Sequence, residues 1–151
     1  TYALDATLGA GYTFLNAWTL NVEYYRHGSG LSAKEFAAWN EFAGDVSRQI
    51  TTNPFANAQL GAALSPGTSP LRRNYLGIQL RNGSDELIGW NLRYSRNLDD
   101  RSGQVVAQLS YDLSDRCQLW GNVMVQHGNE RTEYGRWLNS TAMLGVTVFL
   151  W

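Results

Sequence analysis

The sequence is short of cysteine, lysine and charge. Its one cysteine, Cys117, leaves no partner for a disulfide within the chain and no cysteine cluster for a metal ion. Lys34 is its one lysine, and charged residues make up 17% of the chain, below the roughly 25% of ordinary soluble domains. The formal net charge is -1, which gives no electrostatic basis for binding nucleic acid.

Long hydrophobic runs are also missing. No stretch reaches the roughly 18–20 consecutive apolar residues of a membrane-spanning helix, and the longest apolar stretch, AMLGVTVFLW at the C-terminus, is too short. The opening residues, TYALDATLGAGY, have neither the basic start nor the apolar centre of a signal peptide. We therefore expect the chain to be either a processed protein or a piece of a longer one.

What the chain does have is strict alternation of polar and apolar side chains. In WTLNVEYY, residues 18–25, an apolar or aromatic side chain is followed each time by a polar or amphipathic one. Because successive side chains of a strand point to opposite faces, this pattern predicts a strand with one apolar and one polar face. The pattern recurs, less cleanly at 117–127, and predicts strands over residues 2–14, 18–27, 74–81, 88–95, 104–113, 117–127 and 140–151.

The length of these strands and of their connections separates two all-β classes of protein. Strands of roughly ten residues suit a tilted crossing of a bilayer, whereas strands of soluble proteins cluster near 5–6 residues. Short connections at 15–17, 82–86 and 114–116 alternate with longer ones at 28–70, 98–103 and 128–139. Short turns on one side and long loops on the other are typical of outer-membrane barrels, whose short turns face the periplasm. The same parity predicts a periplasmic C-terminus.

The end of the chain carries a further resemblance. It ends GVTVFLW, with Phe149 and Trp151 in alternate positions. This ending is similar to that of bacterial outer-membrane β-barrel proteins, whose terminal aromatic residue is read by the barrel-assembly machinery, although that residue is usually Phe. The resemblance implies an antiparallel transmembrane β-barrel in the outer membrane, in contact with lipid and lipopolysaccharide. Single-chain bacterial barrels have an even number of strands. Seven predicted strands therefore imply that residues 1–151 as a whole are the C-terminal part of a larger barrel.

The two faces of such a barrel would have separate roles. Aromatic residues toward the strand ends of the apolar face resemble membrane girdles: Trp18, Tyr24, Trp90, Tyr94 and Tyr111. The polar face would line the lumen with Glu23, Tyr25, Gln79, Arg81, Asn91, Arg93, Gln108, Asp112, Asn122 and Gln126. A polar lining tunes which solutes pass, so the leading hypothesis is a pore for passive transport or export of a small solute or polymer. The alternatives are a polar core in a closed barrel and a scaffold that houses a partner protein.

The long connection at 28–70 is predicted to be a partly helical extracellular insert. In LSAKEFAAWNEFAGDV, Ser32 and Glu35 form a capping box, and apolar residues recur on one face, so a helix is expected near 32–46 with Gly44 as a possible end. A second helix is expected to begin at Asn53. The insert is predicted either to constrict the pore as a lid or plug, or to cap neighbouring loops.

A short motif supports an enzymatic alternative. Outer-membrane lipid hydrolases use a histidine with a serine two positions on, and His27 and Ser29 resemble that spacing. Ser29 would be the nucleophile, His27 the base, and Glu35 or Glu41 the residue that orients it. The alternation places His27 on the lumen face, whereas those enzymes work toward the lipid, and Gly-Ser-Gly also reads as a flexible exit from the strand. The pore is therefore preferred over the enzyme.

The remaining charged and histidine residues predict little chemistry. His27 and His127 end their strands at one level, but no spacing fixes a third ligand, so no metal site and no cofactor are expected. Arg72, Arg73 and Arg131 are predicted at the outer rim, where they could meet lipopolysaccharide phosphates or simply be solvated at the base of a loop.

Overall fold

A computed structural model describes residues 3–49, 70–83, 87–136 and 140–149. These ranges contain one helix, α1, and seven strands, numbered in chain order. The elements are β1 (Ala6–Thr13), β2 (Thr19–Arg26), α1 (Ala33–Gln49), β3 (Asn74–Arg81), β4 (Ile88–Asn97), β5 (Gly103–Ser114), β6 (Cys117–His127) and β7 (Ser140–Val148). The predicted all-β class, with one helix inside the long insert, is confirmed.

The strands form one antiparallel sheet in which every strand pairs with its neighbours in sequence, in the order β1-β2-β3-β4-β5-β6-β7. Within the described ranges, β1 and β7 are the two edges, so this sheet is open and does not itself close into a barrel. Antiparallel neighbours need only tight connections, and Thr13 pairs with Thr19 across the first one, where Ala17 adopts a φ of 63°. Asn82 holds the start of β4 because its side-chain oxygen accepts the Trp90 N–H at 2.8 Å.

The register separates a mainly apolar face from a mainly polar one, with exceptions in β6 and near the strand ends. Val22 pairs with Ile78, Leu92 pairs with Ala107, and Trp90 pairs with Leu109, all on one face. Neither face is packed: among the described residues, the buried hydrophobic side chains are Phe36, Ala43, Val46 and Tyr75. Three of those four belong to α1 rather than to the sheet, so the sheet has no hydrophobic core of its own.

Helix α1 starts where the sequence predicts. The Ser32 N–H donates to Glu35 Oε2 at 2.8 Å and the Glu35 N–H donates to Ser32 Oγ at 3.4 Å, which is the predicted capping box. Gly44, the possible end, lies inside α1, which runs three residues beyond the predicted 46 to Gln49 and buries Val46. The second helix predicted from Asn53 lies outside the described residues.

Helix α1 packs against the long connections between strands. The guanidinium of Arg72, just before β3, lies 5.1 Å from the centre of the Phe36 ring. The guanidinium of Arg136, before β7, lies 5.5 Å from the centre of the Trp39 ring and donates to the Asn40 carbonyl at 2.7 Å. In the described part of the chain, no helix is both long and apolar enough to cross a membrane.

Candidate functional site

All ten residues predicted to line a pore lie on one face of the sheet. Two transverse rows of paired residues make this visible. One row runs Thr19–Arg81–Asn91–Gln108–Asn122, and another runs from Glu23 through Gly77, Ser95 and Gln104 to Gln126. Tyr25, Gln79, Arg93 and Asp112 fall on the same face by the same register. Trp120 and Met124, which break the alternation in the sequence, also face this side.

Amide side chains on the polar face bond to one another across the strands. Gln79 Nε2 donates to Asn91 Oδ1 at 2.9 Å, and Asn91 Nδ2 donates to Gln108 Oε1 at 2.8 Å. Between β5 and the next strand, β6, Gln118 Nε2 donates to Asp112 Oδ1 at 2.8 Å. Amides both donate and accept, so each still has groups left for water. The face can therefore hydrogen-bond to water along the length of the strands.

The five aromatic residues predicted to meet the membrane all lie on the opposite face. The rings of Trp18 and Trp90 meet edge to face with centres 4.9 Å apart. Trp90 pairs with Leu109 near the middle of β5, and Tyr111 pairs with Ile88 nearer the short turns. Tyr24 and Tyr94 lie nearer the long loops. Of the predicted assembly signal, Phe149 donates its N–H to the Arg116 carbonyl at 3.0 Å, and Trp151 lies outside the described residues.

A chain of three polar side chains forms where β1 and β2 meet the long insert. Ser29 Oγ lies 3.2 Å from His27 Nε2, and His27 Nδ1 lies 3.1 Å from Asp5 Oδ1. A carboxylate can only accept, so the tautomer of neutral His27 that fits both contacts has the proton on Nδ1, donating to Asp5, with Nε2 accepting the Ser29 hydroxyl. Tyr25 also donates to Asp5, at 3.2 Å. This is the order of groups that activates a serine nucleophile.

Asp5 is held in place by backbone as well as by histidine. The Gly28 N–H donates to Asp5 Oδ1 at 2.7 Å, and this bond is the main reason that the pKa of Asp5 lies below its usual value. Gly28 is required there because a Cβ at that position would overlap the Leu4 backbone. The carboxylate is therefore ionised and oriented toward the histidine at neutral pH.

The structure gives His27 a different partner from the two that the sequence suggested. Asp5 orients it, whereas Glu35 bonds to Ser32 at the start of α1 and Glu41 lies further along that helix. His127 is on the apolar face, opposite to that of His27, and its ring stacks on Tyr94. Among the described residues, no group of three histidine, cysteine or acidic side chains could hold a metal ion.

The loops at the long-connection end are tied together by one half-buried glutamate. Glu133 accepts hydrogen bonds from the Leu71 N–H at 2.9 Å, the Tyr75 hydroxyl at 2.6 Å and Asn97 Nδ2 at 2.7 Å. Burial raises the pKa of Glu133 above its usual value, even though these donors oppose that shift. A second carboxylate, Asp99, accepts from the backbone of Arg73 and from Asn74. The loops before β3, β5 and β7 are thus joined by hydrogen bonds into one loop cluster around Glu133.

Sequence reasoning missed Asp5 as the partner of His27, although a signal for it exists. The tight first connection pairs Thr13 with Thr19, and counting outward along both strands brings Asp5 opposite His27. Glu133 and Asp99 have no such signal, because their partners lie 25 to 62 residues away in sequence. Their roles depend on how the long connections fold over the sheet.

Comparisons with known proteins find no relative of this chain. No protein-family model matches it, and no similar protein is found among curated sequences or solved structures.

Proposed function

We propose that this chain is the C-terminal part of an outer-membrane β-barrel whose polar lumen passes a solute. The observation that carries the proposal is the sheet with two opposite faces, one apolar and exposed, the other polar and linked by amides. Further strands, outside this chain, would join β1 to β7 and close the barrel. The closed barrel would leave no sheet edge unpaired.

Exposure of the apolar face supports lipid as its surroundings. Even in the central strands, Leu109 is 56% exposed and Val123 is 48% exposed. Soluble monomers rarely expose a continuous apolar patch beyond a few hundred Å², yet here the apolar face extends across all seven strands. Each large side chain moved from water into an apolar medium contributes about 1.5–3 kcal/mol, so a bilayer would supply the stabilisation that a hydrophobic core normally gives.

The height of the apolar face also fits a bilayer. In β5, every second residue from Val105 to Leu113 is apolar or aromatic. Eight steps of about 3.4 Å give about 27 Å along the strand, which becomes about 21 Å at a tilt of about 40°. The apolar band of outer-membrane barrels is about 25 Å tall.

Solute passage would depend on the charges and loops of the polar side. Glu23 and Arg93 line one hollow of this face together with Asn21 and Gln79, so a passing ion meets both signs of charge. At the long-loop end, α1 and the loop cluster around Glu133 would narrow the entrance to the lumen. Selection would then be steric at the loops and electrostatic along the strands.

Planar-bilayer conductance of the complete protein, in which the further strands close the barrel, tests this proposal. We expect discrete channel openings, and we expect Arg93→Glu to shift the permeability ratio toward cations. Arg116→Glu makes the same charge change in the short β5–β6 turn and should shift the ratio much less. A protein that stays silent in bilayers would refute the pore, and a partner co-purifying inside the lumen would favour the scaffold alternative.

A second candidate function, ester hydrolysis, is favoured by the Asp5–His27–Ser29 geometry alone. Ser29 Oγ would attack the ester carbonyl while His27 Nε2 takes its proton, and the same proton would then pass to the departing alcohol. Water would then attack the acylated serine while His27 Nε2 takes a proton from it. That proton would return to Ser29 Oγ as the acid leaves. The exposed position of Ser29 leaves it open to a substrate at the insert.

Labelling by a fluorophosphonate, followed by peptide mapping, tests the hydrolase. Covalent modification of Ser29 that disappears in His27→Ala and weakens at least tenfold in Asp5→Asn would support it. Ser95→Ala, on the same face of β4, is the matched control and should label as the unchanged protein does. Absence of any label on Ser29 would remove this function and leave the pore proposal untouched.

A further inference from the structure

Arg72 is a buried cation, and two of its hydrogen-bond donors have no partner among the described residues. The residue is only 6% exposed, and among the residues that the structure describes, its Nε and Nη1 atoms have no hydrogen-bond partner. The nearest carboxylate oxygen, Asp99 Oδ2, lies 3.9 Å from Nε, which is beyond hydrogen-bond length. A buried charge with unfilled donors is costly, so its position calls for a specific explanation.

Asp99 cannot come closer to Arg72 without losing other bonds. Its Oδ2 accepts the Arg73 N–H at 2.9 Å and the Asn74 N–H at 3.0 Å, while its Oδ1 accepts Asn74 Nδ2 at 2.8 Å. The carboxylate is thus committed to fixing the start of β3. Arg72 is held instead by the Phe36 ring, against which its guanidinium rests at 5.1 Å from the centre. Stacking on a ring leaves the edges of a guanidinium free to donate in the plane.

The side chain of Arg72 lines a cleft of about 730 Å³ between α1 and the long loops. The other basic residues there are Arg48, Arg131 and Arg136, and the acidic ones are Glu41, Asp99, Asp100 and Glu130. Two of the basic groups are already engaged, because Arg48 pairs with Asp45 and Arg136 donates twice to Asn40. Arg72 and Arg131 are therefore the cations available to a ligand in the cleft.

We propose that this cleft binds an oxyanion, a phosphate or carboxylate group, with Arg72 as its principal donor. Hydrogen bonds between arginine and such anions are stronger than neutral ones, and the planar guanidinium matches their geometry. The Phe36 ring and the Ala37 side chain offer an apolar wall beside the anion. The same chemistry fits a phosphate of lipopolysaccharide or a free anionic solute at the pore entrance. The proposal goes beyond solute passage and holds whether or not the barrel conducts.

Titration calorimetry with inorganic phosphate, at constant ionic strength set by chloride, tests the site. We expect saturable binding to the unchanged protein and at least tenfold weaker binding to Arg72→Gln. Arg48→Gln removes a paired cation from the same cleft and should bind within about twofold of the unchanged protein. Arg72→Lys keeps the charge but loses the planar donors, so an intermediate affinity is expected, and this variant serves if Arg72→Gln does not fold.

A second arm identifies the source of the anion. Vesicles that contain lipopolysaccharide are compared with vesicles whose lipopolysaccharide has been dephosphorylated. Arg72-dependent binding to the phosphorylated vesicles but not to the dephosphorylated ones assigns the site to the lipid. If Arg72→Gln weakens binding of free phosphate but changes binding to neither kind of vesicle, the site is assigned to a soluble anion. The proposal is overturned if neither ligand binds, or if Arg72→Gln and Arg48→Gln weaken binding equally.

Discussion

Replacing Leu109 with arginine tests whether the apolar face meets lipid, because the energetic cost of a lipid-facing arginine depends on its depth in the bilayer. Leu109 lies near the middle of β5 on the apolar face and is 56% exposed. Arginine on the lipid face of a barrel costs about 2–4 kcal/mol at the bilayer midplane and about 0–1 kcal/mol near the interfaces. We therefore expect Leu109→Arg to lower the free energy of unfolding by about 2–4 kcal/mol.

The same strand provides the comparison sites. Val105 lies four residues before Leu109 on the same face, and Leu113 lies four residues after it, where β5 shifts its register with β6. Four residues correspond to about 14 Å along the strand and about 10 Å in depth at a tilt of about 40°. Val105→Arg and Leu113→Arg should therefore each cost only about 1 kcal/mol. Gln108→Arg, on the polar face, should cost no more than either.

Urea unfolding of the protein in lipid vesicles, extrapolated to zero denaturant, measures all four variants. Surface substitutions on a soluble protein usually change its free energy of unfolding by no more than about 0.5 kcal/mol. If Leu109→Arg, Val105→Arg and Leu113→Arg all fall in that narrow range, the apolar face does not lie in a bilayer.

Three further predictions concern the loops and α1. Ser32→Ala removes the hydroxyl that caps α1 and should cost about 1 kcal/mol of helix stability, measured as faster amide exchange in the first turn. Tyr75→Phe removes the hydrogen bond to Glu133 and should cost about 1.5–3 kcal/mol, seen as faster proteolysis at 128–136. Burial raises the pKa of Asp99, but its hydrogen bonds, first of all the one from the Asn74 side chain, lower the pKa by more than burial raises it. The pKa of Asp99 therefore lies below its usual value. Asp99 therefore stabilises the folded loops at pH values above its pKa in the unfolded chain, and this stabilisation is lost as the pH falls through its pKa in the folded protein. Asp99→Asn should make proteolysis of the loops depend less on acid pH.

The faces of the sheet could be predicted from the sequence because both follow from a period of two residues. Once Thr13 pairs with Thr19 through a tight turn, every later pair in that hairpin is fixed, and a slip of one residue would exchange the faces. Strand ends were less well defined: β1 is shorter than the predicted 2–14, and β5 extends one residue beyond the prediction at each end.

The end of α1 could not be predicted from local signals. Glycine often ends a helix, but Gly44 lies inside α1 at a close approach, where a Cβ would come within 3.2 Å of the Arg136 guanidinium. Burial of Val46 favours continuing the helix past that point. The position of Arg136 is set by the distant loop before β7, so the sequence around Gly44 holds no information about it.

The contacts of the long loops were likewise beyond the sequence pattern. Glu133 gathers donors from three other segments, and Arg72 is left facing a cleft because Asp99 is already engaged. Such arrangements depend on which loops meet over the sheet, and polar loop residues carry no periodicity that would reveal it.

Spin labels at two neighbouring positions of β4 test the central claim most directly. With Cys117 replaced by serine, single labels are placed at Leu92, on the apolar face, and at Arg93, on the polar face. In reconstituted membranes, collisions with lipid-soluble oxygen should dominate at position 92, and collisions with a water-soluble nickel complex should dominate at position 93. Equal access of the nickel complex to both labels, or a label at 92 shielded from both reagents, would contradict the account.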